Sequence, residues 1–383
     1  MSELIAKIQA AHARDIAENR VAMTAEDLPV SYDAITDHWL TAVLCREVPG
    51  AAVVSHRLSA PDNGSSNRRK IYLDYSPTGE TAGLPKKLFG KATHDLVNRL
   101  VLGVSGAAVG EALFYNDIRP ALDIEAPVGY FGRADPETYN SMILLGDLSD
   151  TVTAFCDHHT DMTRERAESQ MRLLGTLHGT CYANAALQGH MKTLPTWKQF
   201  FERTLGFGMR EGSTKGFLAS EHLMPPRLYK RFPEVWDATV AAVDAADKFP
   251  ATLAHGDVHL KNWYIAGNGE MGLSDWQCCS YGHWGRDVAY TVTSALRVEN
   301  RRMWERDLIA LYLDVLASAG GPKVDFDTGW NHYRRQIIPA LTWWTVTLTP
   351  PEGLPDMQPV DVTEAFINRM ATAMDDLESL DVK

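Results

Sequence analysis

Leu253 to Ala289 reads LAHGDVHLKNWYIAGNGEMGLSDWQCCSYGHWGRDVA, and this stretch organises the rest of the chain. Trp263-Tyr264-Ile265 and Met271-Gly272-Leu273 are predicted as short strands joined across Ala266-Gly267-Asn268-Gly269, a strong turn sequence. Such a hairpin brings its flanking residues, Asn262 before it and Asp275 after it, to one end. Asp257 lies five residues ahead of Asn262 in the same loop. Three oxygen-bearing side chains therefore converge, and their types suit phosphoryl transfer. One carboxylate can accept a hydroxyl proton; an amide and a second carboxylate can hold Mg2+, which takes hard oxygen ligands and leaves its other positions to water and phosphates.

The catalytic loop of protein kinases spaces its Asp and Asn by the same five residues and draws a second Asp from the next loop. His255-Gly256-Asp257-Val258-His259-Leu260-Lys261-Asn262 followed by Ser274-Asp275-Trp276-Gln277 resembles the aminoglycoside phosphotransferase and choline kinase superfamily, and Asp-Trp-Gln leans toward its ecdysteroid kinase-like branch. The resemblance implies that Asp257 is catalytic and that Asn262 and Asp275 bind metal. It gives Asp287, in Arg286-Asp287-Val288-Ala289, the task of steadying the loop; His255, weighed against a zinc ligand, reads as structural and orients that loop. The resemblance also implies an α+β, bilobal protein-kinase-like fold: an N-lobe (1–145) with an antiparallel sheet and a helix, and a mainly helical C-lobe (146–383). The implied cofactors are ATP and Mg2+.

Working toward the N-terminus, the same resemblance asks for a strand lysine and a helix glutamate. Leu88-Phe89-Gly90-Lys91-Ala92 and Gly110-Glu111-Ala112-Leu113-Phe114-Tyr115 resemble that pair, with Lys91 on the α- and β-phosphates and Glu111 orienting it. Lys86 and Lys87 are close competitors. Met142 to Leu148 resembles the family's hinge, which places Leu145 and Asp147 at the nucleotide, although Gly146 stands where relatives usually carry Glu. The phosphate-covering loop falls at Asp62 to Asn67, where Gly64, Ser65 and Ser66 supply one glycine, hydroxyls and backbone N–H groups.

Periodicity supports this layout. Helices are expected over about 1–25, Ala34–Arg46 (capped by Asp33 or Thr36), Gly103–Ile118, Thr163–Ala186, Glu234–Lys248, Arg302–Ala319 and Trp330–Leu348. Three strands are expected between Ala51 and Ala92 and another at Ser141–Leu145.

The 383 residues leave room for two folded units, and 45% apolar with 22% charged residues indicates a buried core. A net charge of -12 without a basic stripe argues against nucleic acid. No apolar run of membrane-spanning length and no signal-like N-terminus is present, so a cytoplasmic protein without a membrane partner is expected. Five scattered cysteines, Cys45, Cys156, Cys181, Cys278 and Cys279, read as reduced thiols.

Three alternatives to a small-molecule kinase account for fewer of these residues. A zinc hydrolase would use His255 and His259, but it leaves Asn262 and Asp275 unexplained. A protein kinase needs a long activation segment, whereas only eleven residues separate Asp275 from Asp287. A catalytically inactive nucleotide sensor has no need to keep Lys91, Glu111, Asp257, Asn262 and Asp275 together. The acceptor is expected in the C-lobe near His283, Trp284, Tyr333, Trp343 and Trp344. Their aromatic area favours a bulky apolar or steroid-like alcohol, with an aminoglycoside- or choline-like cation as the alternative.

Overall fold

The structure is a computed structural model and describes residues 2–103, 106–351 and 357–382. The chain divides into two compact units. The first runs to Ala121 and resumes over Pro127–Asp150; the second comprises Leu122–Ala126 and the chain from Thr151 onward.

The first unit is built on an antiparallel sheet of six strands: β1 (Val53–Leu58), β2 (Asp62–Asn63), β3 (Asn67–Tyr75), β4 (Lys87–Ala92), β5 (Gly129–Ala134) and β6 (Ser141–Gly146). The spatial order is β1-β3-β4-β6-β5, with β2 folded back on β3. Alternate residues of the central strands (Ile71, Leu73, Leu88, Met142, Leu144) pack with Trp39, Leu40 and Val43 of helix Asp37–Leu44 into one apolar cluster. Thr36 caps that helix by accepting the Trp39 N–H, which settles the choice between Asp33 and Thr36.

Sequence periodicity found β1, β3, β4 and β6 but not β2 or β5. The two glycines of β5 break the alternating pattern, and both let the strand approach neighbouring side chains: a Cβ on Gly129 would stand 2.6 Å from Tyr115 and one on Gly132 3.1 Å from Asn116. The helix expected from Gly103 to Ile118 is an α-helix only over Ala107–Leu113 and continues as a wider π turn over Phe114–Ile118. Val104 and Ser105 lie outside the described residues.

The second unit is mainly helical. Helices Arg164–Ala183 and Val298–Ser318 pack together, and helix Phe326–Leu348, with Pro339 inside it, contacts helices Met209–Ala219, Phe232–Ala246, Gly285–Ala295 and Val360–Asp376. Gly216 is required where Met209–Ala219 meets Phe326–Leu348, since a Cβ there would fall 1.8 Å from the Thr345 carbonyl oxygen. Its β structure is small: β7 (Val152–Phe155), β8 (Thr252–Ala254), β9 (Trp263–Ala266), β10 (Met271–Leu273) and β11 (Ser280–Gly282). The expected hairpin is β9-β10, with Ile265 opposite Met271 and Trp263 opposite Leu273; β7 joins β9, and β8 pairs with β11. Helix Gly285–Ala295 is buried along its whole length, polar residues included, and was not anticipated from the sequence.

Taken element by element, the structure is α+β, with an antiparallel sheet in the first unit and a mainly helical second unit, the class that the resemblance implied. All five cysteines are free thiols. Among the described residues no single helix is long and apolar enough to cross a membrane.

Candidate active site

The loop between β8 and β9 is held open by its own geometry. Gly256 has a φ of 82°, a left-handed conformation, and a Cβ there would stand 2.6 Å from the Cys278 carbonyl oxygen. Beneath it lies Asp287, fully buried, whose carboxylate accepts the His255 N–H at 2.6 Å and the Gly256 N–H at 2.9 Å. His178 Nε2 lies 3.3 Å from the same carboxylate, and its Nδ1 is 2.8 Å from the Tyr312 hydroxyl. Arg286, the preceding residue, donates from Nε and Nη2 to the Gly256 carbonyl, and its guanidinium stacks 3.5 Å over Trp197. Asp287 and Arg286 thus clamp the N–H and C=O sides of the same turn.

His255 completes the scaffold. Its Nδ1 accepts the Asp257 N–H at 3.2 Å and its Nε2 faces the Ser274 carbonyl at 2.9 Å, which fixes the Nε2–H tautomer. Both ring nitrogens are thereby committed within the protein, so a zinc ion would have to displace one of these bonds. His255 therefore ties the loop to the segment carrying Asp275.

Asp257 keeps 18% of its side chain exposed. Asn262 Nδ2 donates to the Asp257 backbone carbonyl at 2.7 Å and approaches Oδ2 at 3.3 Å. The amide nitrogen is spent on Asp257, and the amide oxygen is the function left to meet a cation. Tyr290 donates its hydroxyl to Asp257 Oδ1 at 3.2 Å, and His259 Nε2 stands 3.6 Å from Oδ2. Asp275 has a φ of 62°, a left-handed conformation uncommon for a side-chain-bearing residue. Burial pushes His255 and His259 below their ordinary 6.5, and the charges of Asp257 and Asp275 oppose that shift at both rings. Two carboxylates and one amide oxygen thus gather around one loop, a donor set that fits Mg2+.

In the first unit, Lys91 and Glu111 form a buried pair at 2.7 Å. Lys86 instead turns outward to Glu80, and Lys87 pairs with Asp150. Leu145 is buried on β6 opposite Phe89. Asp147 lies 3.2 Å from Lys70 and accepts the Ser149 N–H. Burial alone would raise its carboxyl, but the Ser149 and Lys70 contacts outweigh it and hold it below the ordinary value. Gly64, Ser65 and Ser66 form the turn from β2 to β3, braced by an Asn98 bond to the Gly64 carbonyl; Gly64 and Ser65 are exposed and Ser66 is buried.

The residues expected to line an acceptor pocket do not form one aromatic surface. Tyr333 is fully buried and donates to Glu305 at 2.8 Å. Trp284 is buried against Tyr312, and His283 packs against Phe249 and His332. Trp343 is half-buried against Trp197 and Phe200, whereas Trp344 is core and donates its indole N–H to Tyr290. Tyr333, Trp343 and Trp344 share helix Phe326–Leu348, and His283 and Trp284 directly precede helix Gly285–Ala295, yet packing distributes these rings among separate clusters. Arg286 and Tyr290 were not foreseen beside this loop, and the 286/290 spacing beside Asp287 was the available signal; His178 is the buried structural histidine that its helix suggests.

A second group of potential metal ligands is formed by His158, His159 and Asp361, with ligand atoms within 4.8 Å of one another. The Arg369 guanidinium, bonded to the His158 carbonyl, already supplies positive charge there.

Residues 150–326 match the phosphotransferase enzyme family APH. The matched stretch of this phosphotransferase family contains the whole 253–289 segment and supports the resemblance read from the sequence. Solved structures similar to the chain include a macrolide 2'-phosphotransferase from Brachybacterium faecium, 15% identical, covering 81% of this chain and 90% of that one with a TM-score of 0.45. A choline kinase from Streptococcus pneumoniae is 14% identical over 85% of this chain and 94% of its own, with a TM-score of 0.43. An ethanolamine kinase from Plasmodium vivax is 11% identical over 84% and 81%, with a TM-score of 0.44. No curated protein sequence matches the chain significantly.

Proposed function

We propose that the protein is an ATP- and Mg2+-dependent phosphotransferase that moves the γ-phosphate of ATP to a hydroxyl of a small molecule. The observation that carries this reading is Asp257, partly exposed on a largely buried loop, with its backbone and both carboxylate oxygens engaged by the neighbouring Asn262, His259 and Tyr290. A carboxylate fixed in this way is oriented before an acceptor arrives, so little reorganisation accompanies its hydrogen bond to the acceptor hydroxyl. Asn262 and Asp275 are assigned to the metal. Lys91, oriented by Glu111, is assigned to the α- and β-phosphates, with Leu145 and Asp147 at the adenine and the Gly64–Ser66 turn over the phosphates. MgATP, when bound, supplies the phosphoryl group and the positive charge that offsets it.

The acceptor is proposed only by class. Trp284, Tyr333 and Trp344 are occupied in the core, so the aromatic case for a steroid-like alcohol loses most of its residues. The ecdysteroid kinase-like branch then rests on Asp275-Trp276-Gln277 alone, and there Trp276 is a buried scaffold residue donating to the Leu273 carbonyl.

The test is ATP consumption across a panel of hydroxylated metabolites and antibiotics, with mass spectrometry of the products. A phosphorylated product is expected, formed only with Mg2+. Asp257→Ala should lower its formation by about 100-fold or more, the usual size of a positioned base. Near wild-type turnover in that variant would remove Asp257 from the mechanism.

A further inference from the structure

Helix Gly285–Ala295 carries Tyr290 under the catalytic loop, where the ring is fully buried. Trp344, from helix Phe326–Leu348, places its indole Nε1 2.7 Å from the Tyr290 hydroxyl oxygen. An indole N–H can only donate. The Tyr290 oxygen is therefore the acceptor in that bond, and its own proton is left for its other neighbour, Asp257 Oδ1, at 3.2 Å. The donor direction is fixed along the whole chain, from Trp344 through Tyr290 to Asp257, without any choice of tautomer or rotamer. Asn262 and His259 approach only the other carboxylate oxygen, Oδ2.

We propose that Tyr290, set in place by Trp344, is a positioning residue for Asp257: its hydroxyl pins Oδ1 from the core side and so fixes the plane in which the carboxylate meets the acceptor. This rests on Asp257 being the group that faces the acceptor. It also changes the meaning of Trp344, which acts on the rate through Tyr290 instead of touching the acceptor.

The probe reaction is the Mg2+-dependent release of ADP from MgATP with water as acceptor. Tyr290→Phe deletes one hydroxyl and keeps the ring, so the KM for ATP should stay close to wild type, with a modest fall in melting temperature because the buried Trp344 N–H loses its acceptor. The kcat should fall about 10- to 100-fold, as for a lost hydrogen bond to a charged group. Trp344→Phe should lower kcat less, and in the Tyr290→Phe background it should have no further effect, because its path runs through the missing hydroxyl. Additive losses, or a wild-type kcat in Tyr290→Phe while Asp257→Asn is inactive, overturn the inference and leave the phosphotransferase reading intact. An active Asp257→Asn overturns the reading of Asp257 itself.

A measurement free of turnover probes the same relay. Asp257→Asn should shift the Trp344 indole N–H resonance in the otherwise wild-type protein and leave it unmoved in Tyr290→Phe. An indole signal indifferent to Asp257 in both backgrounds refutes the relay.

Discussion

Replacing Asp287 by Ala removes a carboxylate that never meets solvent and leaves its partners in place. Two backbone donors lose their acceptor, the His255 N–H at 2.6 Å and the Gly256 N–H at 2.9 Å, and His178 loses its neighbour at 3.3 Å. Hydrogen bonds to a charged group contribute about 1.5–3 kcal/mol each, so two amount to about 3–6 kcal/mol. Deleting one member of a buried ionic network independently costs about 3–5 kcal/mol. A destabilisation of about 3–5 kcal/mol is therefore expected, a large fraction of the roughly 5–15 kcal/mol that holds a typical domain folded. Asp287→Asn retains one acceptor oxygen but turns an NH2 toward the second backbone donor, and should fall about midway.

The pH dependence gives a second reading of the same site. Burial by itself would raise the Asp287 carboxyl, but His178, His255 and the Gly256 N–H outweigh it and hold it below its ordinary 3.8. The folded protein thus binds this proton less readily than the unfolded chain. Its contribution is complete above about pH 4 and is lost as pH falls through the depressed folded value, so Asp287→Asn should flatten the acid limb of stability. Equilibrium urea unfolding followed by near-ultraviolet circular dichroism measures both effects. An Asp287→Ala protein within about 1 kcal/mol of wild type would show that the loop is not held in this way.

Asn262→Ala and Asp275→Ala should each weaken Mg2+-dependent ATP binding by about 10- to 100-fold, the loss of one contact to a charged partner; calorimetric affinities unchanged in both would place the metal elsewhere. Gly256→Ala should lower stability by at least about 1–2 kcal/mol from its left-handed backbone alone, with the 2.6 Å approach to the Cys278 carbonyl adding to it, and an unchanged melting temperature would refute the strain argument. His94, almost wholly buried with Nε2 at 3.1 Å from the Pro29 carbonyl, is pushed down by burial to about 3 from 6.5. Below pH 6.5 the unfolded chain takes up a proton that the folded chain refuses, so its contribution is present above that pH and declines below it by up to about 1.4 kcal/mol per pH unit. Stability measured between pH 7 and pH 4 should fall less steeply in His94→Gln, and an identical slope would count against a neutral buried ring.

The legible part of the site was the part whose geometry is local. Five residues from Asp257 to Asn262 and a tight turn from Ala266 to Gly269 leave the backbone few options, and Gly269 takes the left-handed conformation, with a φ of 87°, that the turn composition asks for. Resemblance extended this to Lys91 and Glu111, and with the alternation after Phe89 it favoured Lys91 without excluding Lys86 and Lys87. Only packing separates them: Lys91 turns to the buried side, to Glu111, while Lys86 finds Glu80 and Lys87 finds Asp150 in the open.

By itself, then, the sequence determined the Asp257–Asn262 loop motif, the hairpin beside it and the α+β class, because short-range backbone preference and periodicity specify those without reference to distant residues. The tertiary structure decided the surroundings. Trp344 is 54 residues from the tyrosine to which it donates, and Asp287 lies 31 and 32 residues beyond the two N–H groups it holds. Contacts at such separations leave no period in the chain. The same reason explains why the aromatic residues read as one surface are spread through the core: a tryptophan's type announces that it will be buried, but only the packing of helices says against what.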